Sequence, residues 1–234
     1  DRCMRGERSY RTPPHSTASV EPMRTVLAVL RIVAALVAAA AIVATLLDTA
    51  SRASINPFNF FGFFTIQGNI IALAALLATG AAGLSSRRQS KNLVLFRACA
   101  TTYIVVVGVV YSTLLAGLEG GVSLPWANFV LHVALPIYAA LDWILIPDRK
   151  NVTWHRFWIG LVYPAVWLVV VLVRGATDGW VPYPFLDPGN GYGVVAGYAV
   201  GIAVAISAAG AAVWGVSRWQ LPTRSHAALV NEPH

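Results

Sequence analysis

VLAVLRIVAALVAAAAIVATLL occupies Val26–Leu47 and carries a single charge, Arg31. A helix rises about 1.5 Å per residue, so a run this long crosses a hydrocarbon layer about 30 Å thick. It is too long for the core of a signal peptide, and no small-residue cleavage site closes it. It therefore reads as a retained transmembrane helix at about 25–47. Five further apolar runs follow, at about 60–84, 94–116, 126–146, 157–173 and 192–215. The fifth is the shortest, and Pro164 interrupts it.

Composition agrees. The chain of 234 residues is 57% hydrophobic and 12% charged, with mean hydropathy +0.63. That charge is too sparse to cover a soluble domain of this size. The net charge of +7 is spread in short clusters between apolar runs, so no nucleic-acid patch is expected. Cys3 and Cys99 supply neither a disulfide framework nor metal-ligand spacing. The fold expected is all-α: a polytopic integral membrane protein with six transmembrane helices in one bundle. Residues 1–22, rich in Arg, Ser, Thr and Pro, read as a disordered basic tail. Residues 23–217 form the transmembrane domain, and 218–234 a C-terminal tail. Met23 is an alternative start.

The connectors alternate in charge. Arg2, Arg5, Arg8, Arg11 and Arg24 precede the first span, and Arg52 alone follows it. Arg87, Arg88, Lys91 and Arg97 mark the second connector, and Arg149, Lys150 and Arg156 the fourth. The third has Glu119 and no cation, while the fifth sets Arg174 against Asp178 and Asp187. Positive residues favour the cytoplasm, which predicts both termini inside a plasma (inner) membrane. Gly193, Gly197 and Gly201 have the small-residue spacing of close helix packing. No internal repeat, P-loop, CxxC or HExxH is evident.

FNFFGFFTIQGNII, Phe58–Ile71, sets Thr65, Gln67 and Asn69 inside an apolar run. Helical rise puts Thr65 roughly 8 Å below the outer surface. His132 enters from the same side and lies roughly 9 Å down. Pro136 releases the His132 carbonyl from its helical partner and predicts a kink. Asp48, Thr65, Asn69, Tyr111, His132, Arg174 and Asp187 all fall in this outer layer, which suggests a pocket open to the outer leaflet. Arg31 and Asp142 lie in the inner half, where they form an expected pair, with Asp142 near Arg149 as a helix-end anchor. Asn69 and Gln67 read first as hydrogen bonds between helices. His132 is the one histidine inside an expected span and reads as functional.

A hydroxyl beside an imidazole is the minimum for nucleophilic acyl transfer. Thr65 is the candidate nucleophile and His132 the candidate base. Asn69, Asn128, Tyr111, Arg174 and Asp187 are candidates to orient the base, stabilise an oxyanion or hold substrate. A lipid-ester hydrolase is the first reading. A small-molecule or proton-coupled transporter and a non-catalytic scaffold are the alternatives. No cofactor is expected: haem would need a second histidine in a span, and zinc would need ligands beyond Asp48 or Asp187. The expected partner is membrane lipid or an amphiphilic lipid ester.

FNFFGFFTIQGN, NFVLHVALPIYAALDWIL and YPAVWLVVVLVRGATDGWVPYPFLD resemble the "Pr-six-Pr" group of bacterial six-span membrane proteins. The resemblance spans about residues 25–215. That pattern is similar in turn to the androgen-induced and androgen-dependent membrane hydrolases of animals. The similarity implies cleavage of fatty acid esters of hydroxy fatty acids, with Thr65 as the intramembrane nucleophile and His132 as its base.

Overall fold

The computed structural model describes residues 20–85, 87–117, 124–146, 148–149 and 151–219, with side chains from Pro22 onward. Among the described residues there is no strand, and six helices are long and apolar enough to cross a membrane. They are Pro22–Arg52, Phe64–Leu84, Lys91–Leu115, Pro125–Leu145, Trp154–Thr177 and Tyr192–Val216, here called the first to sixth spans. This is the architecture of an integral, multi-pass membrane protein. The expected N-terminal tail overlaps the first helix, which already runs from Val20. Residues 1–19 and 220–234 lie outside the described residues.

The first and second spans pack through small residues. Ala28, Ala35, Ala38 and Ala41 are buried. A Cβ on Gly80 would come within 2.8 Å of Ile32, and one on Gly83 within 2.8 Å of Ala28. The backbones approach closely because hydrocarbon gives no hydrophobic drive to pair helices, and dispersion has to do it. The third span is the most buried of the six and packs against the second, fourth and sixth. The fifth and sixth stand at the periphery, with Val166, Val169, Val200 and Val204 exposed as lipid-facing residues. Gly193, Gly197 and Gly201 depart from the expected close packing. A Cβ on any of them meets nothing within 4 Å among the described residues.

The helix expected from residue 60 is broken. A short helix at Pro57–Phe60 is capped by Asn56, and a second helix begins at Phe64. Inside a bilayer every backbone polar group needs a partner, because no water is there to supply one. The break is provided for in this way. Gln67 Nε2 donates to the Phe61 carbonyl at 2.7 Å, and Trp167 Nε1 to the Gly62 carbonyl at 2.9 Å. Gly62 also admits the Trp180 ring, since a Cβ there would lie 2.5 Å from it.

Before Pro136 the helix changes register. The turn Val130–Ala134 is π-helical, and Leu135 N donates to the Val130 carbonyl. The third span is π-helical at Tyr111–Leu115. Gly108 receives Pro136: a Cβ on the glycine would lie 2.9 Å from the proline ring and 3.3 Å from the His132 carbonyl. Pro164 lies inside the fifth span without ending it. Gly179, at φ 71°, closes that span, and Asp178 N and Gly179 N both donate to the Arg174 carbonyl.

Candidate functional site

Thr65 is the second residue of its helix, and the cap residue Phe63 offers no side-chain acceptor. The first N–H groups of a helix lack intrahelical partners. Tyr183, from the loop between the fifth and sixth spans, supplies one. Its hydroxyl accepts from Thr65 N at 3.1 Å and lies 3.2 Å from Thr65 Oγ1. Burial pushes the Tyr183 phenol above its ordinary pKa, so it stays protonated and can donate. Asn69 is fully buried, and its Nδ2 donates to the carbonyls of Thr65 at 2.8 Å and Leu131 at 3.2 Å. That amide ties the second span to the fourth, one residue before His132.

The imidazole is held separately. His132 Nδ1 lies 3.1 Å from the Asn128 carbonyl. A carbonyl only accepts, so in the neutral ring Nδ1 carries the proton and Nε2 presents its lone pair. The ring stacks on Tyr111, with centroids 4.3 Å apart. Asn128 Nδ2 donates to the Tyr111 hydroxyl at 2.5 Å. Tyr111, Asn128 and His132 therefore form one group, and Thr65, Asn69 and Tyr183 another. Among the described residues no hydrogen bond joins Thr65 to His132. The polar residues of the second span are also engaged locally. Thr65 meets the capping phenol, Gln67 serves the break, and Asn69 clamps two carbonyls.

Arg174 and Asp187 stand apart from both groups. Arg174 pairs with Asp178 at 2.7 Å, donates to Asn59 Oδ1 at 2.8 Å and lies over the Trp180 ring. Asp187 accepts from Gly189 N and caps a short turn.

Thr65 also forms part of a cavity wall. The cavity has a volume of about 220 Å³ and is bounded by the third, fifth and sixth spans and by the 183–186 turn. Val106, Val110, Leu168, Ile202 and Ile206 are among its apolar lining, with Thr65, Tyr183 and Ser207 its polar groups. His132 and Tyr111 are not part of that wall.

At the opposite end the structure adds a feature that the sequence only half revealed. Arg31 meets Asp142 at 2.9 Å and Asp148 at 2.5 Å; Arg97 meets Asp142 at 2.5 Å and Asp148 at 2.7 Å. The four residues close a ring of ion pairs, and Gln89 Nε2 also donates to Asp148. The expected Arg31–Asp142 pair is present. Arg97, taken as a connector charge, is instead buried in the third span. Arg149 meets the Ile146 and Val216 carbonyls and the Trp143 ring rather than Asp142. Charge type alone marked Arg97 as basic; only the packing of three spans shows that it faces two aspartates.

No protein family, curated protein or solved structure matches this chain in comparison with known proteins.

Proposed function

We propose that this membrane protein draws the hydrocarbon chain of an amphiphile into its cavity and cleaves an ester of that lipid, with Thr65 as nucleophile. The observation that carries the reading is an apolar cavity with Thr65 in its wall. Binding sites for apolar ligands combine mainly hydrophobic walls with a few fixed polar groups. In the proposed step the Thr65 oxygen attacks the ester carbonyl and its proton passes to His132 Nε2. The departing alcohol takes that proton. Water then hydrolyses the acyl-threonine with His132 as base again. In this reading the protonated Tyr183 phenol donates to the oxyanion. The step requires the Thr65 hydroxyl to leave Tyr183 when lipid binds and to reach Nε2 directly or through one water. Catalytic contacts often tighten only in the substrate complex.

The test is labelling of purified protein by a lipid-chain fluorophosphonate. Covalent label on Thr65, lost in Thr65→Ala and in His132→Ala, is expected. Label that persists in Thr65→Ala overturns the nucleophile. A second reading, lipid binding without chemistry, is favoured by the Thr65–Tyr183 contact, which already accounts for the hydroxyl. It predicts no covalent label, while a photoactivatable fatty acid still crosslinks in the cavity and Ile202→Trp blocks it.

We also propose that both termini face the cytoplasm of a plasma (inner) membrane. Arg24, Arg149, Arg156 and Arg218 gather at the end of the bundle that holds the ion-pair ring. At the other end Arg52 and Arg174 each pair with an aspartate four residues away, Asp48 and Asp178. Unbalanced positive charge therefore collects on one side, as the cytoplasmic side requires. Impermeant thiol reagent applied to intact cells should spare a cysteine placed at Trp219 and label one placed at Phe58; the reverse pattern refutes the orientation.

A further inference from the structure

A second chamber lies beside the cavity. It has a volume of about 680 Å³ and is lined by aromatics, among them Phe58, Phe61 and Trp180, together with Asn56, Gln67 and Arg174. Phe58 is 82% exposed. Arg174 is the one charged residue in this lining. Its Nε and Nη2 are engaged by Asp178 and Asn59, and its plane lies over Trp180 with the guanidinium carbon 4.2 Å from the ring centroid. These contacts hold the fork rigid and leave Nη1 without a partner among the described residues. The two chambers share a wall at Trp167, whose indole is pinned to the Gly62 carbonyl. One stretch of chain lines both: Phe64 and Thr65 face the cavity, and Phe61, Gly62 and Gln67 face the groove.

We infer that the groove is a headgroup subsite, and that the ligand is a single-chain membrane lipid with an anionic headgroup. The inference rests on the proposed reading of the cavity as a chain-binding site. The chain occupies the cavity, and the phosphate or carboxylate takes Arg174 Nη1, with the junction beside Trp167. A guanidinium fixed by neighbouring contacts loses little freedom on binding an anion, and charge-assisted bonds are the stronger kind. An uncharged headgroup would leave Nη1 unmatched.

The experiment compares two single-chain lipids of the same chain length, one with a bare phosphate and one with an uncharged glycerol headgroup, as competitors of a photoactivatable fatty acid on purified protein in nanodiscs. The phosphate lipid should compete about tenfold better, the size of one charge-assisted contact. Arg174→Gln should bring the two within about twofold and leave the glycerol lipid unchanged. Asp178→Asn removes the carboxylate charge that neutralises the fork, while Asn59 still holds Nη2, and should widen the preference. Equal competition by both lipids in the wild type overturns the headgroup inference while the chain-binding reading stands. No crosslinking that Ile202→Trp can block overturns the chain-binding reading, and the inference falls with it. Equal weakening of both lipids by Arg174→Gln and Asp178→Asn makes the pair a loop brace and overturns the inference. Millimolar inorganic phosphate should not compete; if it does, the groove takes a free anion and the lipid assignment fails.

Discussion

Tyr183 shows how much a single side chain can carry here. Its phenol caps a helix whose own cap residue, Phe63, has nothing to offer, and it does so next to the cavity. Tyr183→Phe removes that acceptor and strands Thr65 N in a buried position. A loss of about 1–3 kcal/mol is expected, read by reversible unfolding in detergent, with Thr65→Ala costing less because the backbone N–H keeps its partner. Asp148 gives a second residue-level expectation. Burial opposes its charge, but Arg97 and Arg31 outweigh burial and hold the carboxyl below its usual range. A lowered folded pKa stabilises at pH above the ordinary carboxylate value of about 3.9 and loses that contribution as pH falls through the folded value. Melting temperature should therefore drop on acidification toward pH 3, and Asp148→Asn should flatten that part of the profile. A profile unchanged by the substitution would place the acid sensitivity elsewhere.

Helices in this bundle are shaped by their glycines and prolines in ways that their spacing does not disclose. Gly80 and Gly197 both lie in apolar helices. Gly80 stands against Ile32 and the Ala28 carbonyl, whereas Gly197 faces open space within the chain. Gly80→Leu should prise the first span from the second and cost about 1–3 kcal/mol, as overpacking does. Gly197→Leu should stay within about 0.5 kcal/mol. Thermal unfolding of the two variants side by side checks the contrast, and equal losses would mean that the sixth span packs against something outside this chain. The same lesson applies to the Thr65 run. Its hydropathy predicts one helix from residue 60, and it does not reveal the break at 61–63, because Trp167, which serves the Gly62 carbonyl, and Tyr163, which holds Gln67, belong to another span.

Across the whole molecule the ion-pair ring links the first, third and fourth spans, with Arg31, Arg97 and Asp142 almost fully buried and Asp148 partly exposed. Removing one member of such a network leaves an uncompensated charge in a low-dielectric interior. Asp142→Ala should cost about 3–5 kcal/mol, and replacing Arg31, Arg97, Asp142 and Asp148 together by apolar residues should cost less than Asp142→Ala alone. Chemical denaturation of the purified protein distinguishes them, and a quadruple variant weaker than the single one would show that the ring stabilises beyond its own desolvation. Span number, approximate limits and the segregation of charge were all legible in the residues, because length, hydropathy and Lys/Arg placement act locally and need no partner. The pairing of Arg31 with Asp142 was legible too, since two opposite charges in one inner layer have few other choices. The partner of Thr65 was not. It comes from a loop 118 residues away, and two helices that place polar groups at one depth can still turn them toward different neighbours. Depth follows from the chain's own helical rise; azimuth and contact follow only from how six helices pack, and that packing sets the Thr65 hydroxyl on Tyr183 and the His132 ring on Tyr111.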